Sequence, residues 1–260
     1  MFTVYGGELH PELSLSIVGQ LPVSVEQCLE NIEHANTLAL PTFRRGEASH
    51  KRLVVVGGGP SAKAHVKTFK DFDGTVDIWA INGMWKWLKD NGVSSTFLAI
   101  DPHPIVNQWI QGCDRALLST VCDPSVFETM RGKDVTVFEI GEGKVRSGSS
   151  TATCCPDLAF KMGYRSVTFY GCESSYVQQQ SHAYMHEPRT EEMLVEWGGK
   201  FYLTAPDFYM QAGELSRCIR EIPEFLREES GGLLRAMIEN DTHGIRWVSD
   251  EMAKGLKAIE

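Results

Sequence analysis

The sequence predicts an α/β fold built on a doubly wound, mostly parallel sheet with additions at both ends. Three observations carry this. Short β-branched and aromatic runs alternate with stretches of helical spacing. The first run, Leu53-Val54-Val55-Val56, opens directly into Gly57-Gly58-Gly59-Pro60-Ser61. The later runs end in Asn82-Gly83, Asp101-Pro102 and Gly171-Cys172-Glu173. Strand and helix in alternation place helices on both faces of a parallel sheet, whose strands are buried and read as continuous apolar runs.

Residues 1–50 form an accessory segment. Within it, residues 24–35 (SVEQCLENIEHA) open on a capping serine and carry apolar residues at helical spacing. The polar stretch RRGEASHKR leads into a core over residues 51–180. Its first strand runs over residues 53–56, followed by a helix that Ser61 would cap, with Pro60 in the turn before it. Residues 76–81 (VDIWAI) and 96–100 (TFLAI) are the next strands, with a helix over 84–91 between them. Residues 116–120 and 135–138 are weaker strands, 150–162 a helix, and 166–170 (SVTFY) a strong strand. Residues 181–260 form a C-terminal helical or lid segment, with a strand before a helix in KFYLTAPDFYMQAGELSRCI and another helix in GGLLRAMIE.

Composition narrows the function. The chain has 260 residues, 42% hydrophobic and 23% charged, with a formal charge of −9. That charge argues against broad attraction to nucleic acid or an anionic membrane. No apolar stretch approaches the roughly 20 residues of a membrane span, and the opening lacks a signal-peptide pattern, so a cytoplasmic location is expected. The seven cysteines (Cys28, Cys113, Cys122, Cys154, Cys155, Cys172 and Cys218) are odd in number and scattered. They form no C-x-x-C pair and read as reduced, mostly buried thiols. A small-molecule partner fits best, and a homo-oligomer is left open.

In a doubly wound sheet, ligands bind beyond the carboxyl ends of the strands. The residues there are Gly57, Gly58, Gly59 and Ser61, then Asn82, Asp101 and Glu173. Ser149 and Ser150 stand at a second small-residue turn feeding a helix. Two helix starts and two carboxylates at one sheet edge suit a nucleotide. Each residue also has a plainer reading: the glycines as close packing, Asp101 as a turn starter, Asn82 as a left-handed turn residue, the serines as caps. His182 and His186, four apart in SHAYMHEPR, are open to three roles: solvated loop residues, a general base, or a metal pair. The glycine turn matches neither G-x-G-x-x-G nor a P-loop, which counts against a nicotinamide enzyme. Cys154-Cys155 could suggest thiol chemistry but reads better as core.

The ordered series VVVGGGPS, IWAINGMWKWLKDNGVSSTFLAIDPHP and GSSTATCCPDLAFKMGYRSVTFYGCESSY resembles the MptE-like family. That family includes archaeal 6-hydroxymethylpterin diphosphokinases and the Maf motility accessory factors, with similar proteins in phages and prophages. A looser similarity runs to bacterial sialyltransferases that use a CMP-sugar. The resemblance implies a Rossmann-like nucleotide fold and a transferase acting on a nucleotide donor, a nucleotide sugar or ATP, with or without Mg²⁺. It implies that Gly58, Gly59, Ser61, Asn82, Ser149 and Ser150 contact the donor and that Asp101 sits at the reacting end, where it could also hold the metal. The family's strand-ending Gly-x-Asp is here Gly171-Cys172-Glu173, which puts the metal or ribose role of that position in doubt. A glycosyltransferase-like enzyme using a nucleotide sugar is the first reading this implies; a diphosphokinase of the 6-hydroxymethylpterin type, taking ATP to AMP, and a non-catalytic nucleotide-binding or phage accessory protein are the alternatives.

Overall fold

The computed structural model describes residues 3–4, 23–184 and 192–240. In chain order its elements are β1 (Thr3–Val4), α1 (Val25–Thr37), β2 (Arg52–Val56), a 3₁₀ turn (Pro60–His65), α2 (Val66–Asp71), β3 (Val76–Ile81), α3 (Met84–Asp90), β4 (Thr96–Ala99) and α4 (Val106–Ile110). They continue with β5 (Arg115–Ser119), α5 (Pro124–Thr129), β6 (Asp134–Phe138), α6 (Thr151–Met162), β7 (Val167–Tyr170), β8 (Met193–Trp197), β9 (Lys200–Thr204), α7 (Pro206–Glu221), β10 (Leu226–Glu228) and α8 (Gly232–Asn240).

Seven strands form one sheet in the order β10-β7-β2-β3-β4-β5-β6, and every pair in it is parallel. This is a Rossmann-like architecture. The alternation of side chains along a strand builds its two layers. On β2, Val54 and Val56 join the layer that holds Phe69 of α2, Leu88 of α3 and Phe127 of α5. Leu53 and Val55 join the opposite layer, with Leu158 of α6, Leu215 of α7 and Leu234 of α8. Val55 and Val56 are fully buried, and burial of one such side chain is worth about 1.5–3 kcal/mol. A central strand of this kind is fixed in register, so the turn that follows it is fixed in place.

The N-terminal helix forms where expected, capped by Ser24, whose side chain accepts the Gln27 N–H. It is tied to the core by buried Asn31, whose amide donates to the carbonyls of Pro102 and Val121 at 3.3 and 2.9 Å. The C-terminal part holds the two expected helices and also a β-hairpin, β8–β9, which with β1 makes a small second sheet. It supplies the edge strand β10 as well. Among the described residues no helix is long and apolar enough to cross a membrane.

One local expectation is corrected. The chain after the glycines does not enter a helix capped by Ser61. It makes a 3₁₀ turn whose capping position is Gly59, with no side-chain capping bond, and only then the short α2. Ser61 lies inside that turn and has another partner.

Candidate functional site

The sheet order fixes where a ligand can enter. From β2 the chain steps outward through β3, β4, β5 and β6, then crosses back through α6 to lay β7 on the other side of β2. The chains leaving β2 and β7 therefore diverge, and a crevice opens at this switch point. A cavity of about 180 Å³ lies there, lined by both exits, by Asn82, by the start of α6, by Ser181, His182 and Tyr184, and by α7.

The glycine turn forms one edge of this cleft, and its glycines answer mainly to β7. Gly57 and Gly59 donate their N–H groups to the carbonyls of Tyr170 and Gly171, both at 2.8 Å. A Cβ on Gly57 would stand 2.5 Å from the Gly171 oxygen, and one on Gly59 would stand 2.1 Å from the Glu173 carboxylate. Close approach of the neighbouring strand's backbone thus demands glycine at position 57, while at 59 the obstacle is the Glu173 side chain itself.

Glu173 is only 1% exposed. Its carboxylate accepts the Ser61 N–H at 2.8 Å and the Ser61 hydroxyl at 2.7 Å. Burial raises its pKa above the ordinary carboxylate value, the two Ser61 hydrogen bonds oppose the rise, and the charge of Glu228 adds to it. The anion held at the start of the 3₁₀ turn is therefore the protein's own carboxylate.

The second small-residue turn behaves differently. Ser150 caps α6 in a capping box, accepting the Thr153 N–H at 3.3 Å while the Thr153 hydroxyl accepts the Ser150 N–H at 2.8 Å. Ser149 gives both its N–H and its hydroxyl to Glu214 of α7, at 2.8 and 3.0 Å. Thr151 and Ala152, the first two residues of α6, line the cleft. Their N–H groups have no acceptor within the helix, and they sit at its positive end.

Asn82 also lines the cleft, left-handed at φ 49°, with its Oδ1 buried and, among the described residues, without a hydrogen-bond partner. After β7 the chain makes a tight hairpin in which Val177 and Gln180 exchange backbone hydrogen bonds of 3.0 and 2.9 Å. Gln178 and Gln179 between them are both left-handed, the signature of a type I′ turn. That turn brings His182 back to the cleft. Its ring lies 5.2 Å from Tyr184 and 5.9 Å from Phe208, and its Nδ1 is 2.9 Å from the Ser181 hydroxyl. Among the described residues five non-glycines have positive φ, and four of them, Asn82, Ser174, Gln178 and Gln179, lie on loops at this cleft.

Of the residues singled out in the sequence, Gly57, Gly58, Gly59, Asn82, Ser149, Ser150, Glu173 and His182 line the cleft together. Ser61 reaches it only through Glu173. Asp101 is not among the lining residues; its carboxylate accepts the His103 N–H at 2.9 Å, as a turn starter does. His186 lies outside the described residues. Among the described residues no three His, Cys, Asp or Glu side chains gather as metal ligands. The lining contains two carboxylates, Glu173 and Asp207, and among the described residues no lysine or arginine. Cys154 and Cys155 belong to the buried layer under α6, and burial pushes both thiols well above their ordinary range.

Sequence reasoning missed Ser174, Asp207 and Gln211. The last two, with Phe208, fall on one face of α7 at positions i, i+1 and i+4, a spacing visible in the sequence. Nothing in the sequence pairs that face with loops thirty to sixty residues away.

The family model described as 6-hydroxymethylpterin diphosphokinase MptE-like matches residues 26–179, more than half of the chain. The chain belongs to the MptE-like family. A solved structure, that of the MAf glycosyltransferase from Magnetospirillum magneticum AMB-1, superposes on this MptE-like chain with a TM-score of 0.63 at 16% identity. The superposition covers 92% of this chain and 42% of that protein, so the likeness is one of fold over less than half of the larger chain. No curated protein matches the chain. The matched family segment contains the glycine turn, Asn82, the α6 start and β7 with its exit; α7 lies beyond it.

Proposed function

We propose that the cleft binds a nucleotide donor and that this MptE-like protein transfers a glycosyl group from a nucleotide sugar to an acceptor hydroxyl. One observation carries the reading. The first turn of α6, whose leading N–H groups suit a phosphate, lines a cavity at the switch point together with Asn82, whose Oδ1 is buried and, among the described residues, without a hydrogen-bond partner, so that a small rotation of the amide would offer it to a sugar hydroxyl or a base N–H. Family membership and the fold of the MAf glycosyltransferase support it.

In such a transfer the bond between the sugar carbon and the phosphate oxygen breaks, and its electron pair leaves with the phosphate. The Thr151 and Ala152 N–H groups are placed to stabilise that developing charge. The acceptor oxygen bonds to the sugar carbon, and its proton passes to a base, for which His182 in the lining of the same cavity is the candidate. Mg²⁺ binds through donor phosphates and one or two carboxylates, and Asp207 at the cleft, rather than Asp101, would be its protein ligand here. The second reading, diphosphate transfer from ATP, is favoured by the family's description. It differs in releasing AMP.

A thermal-shift screen of CMP-, UDP-, GDP- and ADP-sugars and ATP, with and without Mg²⁺, tests the reading, since a ligand of the folded state raises Tm. The expected result is a rise with one nucleotide-sugar class that is lost in Asn82→Gly, a variant that keeps the left-handed turn. A rise with ATP alone, with AMP released when an acceptor is present, supports diphosphate transfer instead. Binding without turnover of any donor leaves a nucleotide-binding accessory role. No shift with any of these compounds overturns the reading.

A further inference from the structure

Gln211 lies on the cleft face of α7, outside the segment that the family model covers. Its amide bridges two elements that no other contact described above joins directly. Its Oε1 accepts the hydroxyl of Ser150, the N-cap of α6, at 3.0 Å. Its Nε2 donates to the hydroxyl of Ser174, beyond the end of β7, also at 3.0 Å.

Ser174 is itself held on three sides. It is left-handed at φ 53° and 5% exposed, its hydroxyl donates to the Cys172 carbonyl at 3.2 Å, and its carbonyl accepts the Thr204 hydroxyl at 2.7 Å. The Ser150 hydroxyl in turn belongs to the capping box that fixes the first turn of α6. Gln211 therefore ties the start of α6 to the exit of β7 at the cleft. It does so with a neutral amide at the positive end of a helix.

We propose that Gln211 is a positioning residue, which holds the α6 N-terminus at the distance and orientation that receive a donor phosphate, and whose lack of charge keeps that end open to an anion. This rests on the reading that the α6 start receives the phosphate. A carboxylate here would still accept the Ser150 hydroxyl, and it would hold Ser174 only by drawing that hydroxyl off the Cys172 carbonyl. It would also place a fixed negative charge where the phosphate must come. A neutral residue able to both donate and accept holds both serines without that charge.

Two variants separate positioning from simple packing. Gln211→Glu keeps the Ser150 bond and adds charge near a helix N-terminus, which offsets the loss of the Nε2 donor, so its Tm should stay near the wild type's. Its affinity for nucleoside monophosphates should nevertheless fall at least tenfold. Gln211→Ala loses the bridge, so amide exchange in residues 150–153 and 172–176 should quicken and affinity should fall. The probes are CMP, UMP, GMP and AMP, measured by calorimetry, with hydrogen exchange on the same proteins. Wild-type affinity in Gln211→Glu, or unchanged exchange in Gln211→Ala, overturns the proposal while the nucleotide reading stands. If the wild type binds none of the four, the nucleotide reading fails and this proposal fails with it.

Discussion

Among the described residues, Ser61 holds both oxygens of the Glu173 carboxylate, its N–H reaching one at 2.8 Å and its hydroxyl the other at 2.7 Å. This pair locks the exit of β7 to the exit of β2. An aspartate, one methylene shorter, would have to draw the two exits together to make the same bonds. The glutamate thus serves the shape of the cleft edge, and its place in the lining is that of a wall.

A pH dependence follows from the burial of that carboxylate. Its pKa in the folded protein is raised, chiefly by desolvation, above the value it has in the unfolded chain. A raised acid favours folding fully below the unfolded value near 4.5, and that contribution is lost as pH rises through the folded value. Glu173→Gln can keep both Ser61 bonds without the charge. Its Tm should gain on the wild type's as pH is raised from about 4 to 7, and parallel Tm profiles would show that the charge carries no such cost.

Gly59 and Glu173 should be energetically coupled. A Cβ at Gly59 meets the carboxylate at 2.1 Å, so Gly59→Ala forces the Glu173 side chain out of its place. Overpacking of this kind costs about 1–3 kcal/mol. In a Glu173→Ala background the obstacle is gone, and the cost of Gly59→Ala should shrink to a few tenths. Denaturant unfolding of the four proteins measures this. Additive losses would mean that Gly59 is needed for another reason.

The sheet was legible in the sequence because each central strand is a continuous apolar run followed by a residue that cannot extend it. The α6 start was legible because Ser150 and the small residues before it form a cap on any backbone. The partners were not. That the glycine turn serves a neighbouring strand and a buried glutamate depends on β7 lying beside β2, a pairing across more than a hundred residues. Ser149 reads as an open donor until Glu214 is brought against it from α7. Asp101 shows the converse, since a carboxylate at a strand end has the same local sequence whether it faces a ligand or only starts a turn.

The charge of the lining predicts how donors rank. With two carboxylates and, among the described residues, no lysine or arginine, the cleft offers a polyphosphate backbone N–H groups, hydroxyls, side-chain amides and His182. ATP should therefore bind weakly without Mg²⁺ and gain at least tenfold with it, whereas AMP should change little. Calorimetry with and without EDTA measures both. Tight Mg²⁺-independent binding of ATP would require a cationic group at the site beyond those described.

His182 is placed to separate transfer from simple binding. It lines the cleft with its ring among Tyr184 and Phe208 and its Nδ1 against Ser181, while the α6 N–H groups lie on another wall of the same cavity. A general base works in its neutral form, so transfer should rise with pH to a plateau as the base loses its proton. His182→Gln should keep donor affinity within about twofold and lower the transfer rate by about 10²–10⁴, the usual worth of a positioned base. It should also remove the rising limb of the pH profile. The ring additionally packs against Gly58, where a Cβ would stand 2.9 Å from its Cδ2, so loss of packing alone could slow the reaction. Loss of packing would lower the rate at every pH and leave the limb in place, and that outcome would move the search for the base to Asp207.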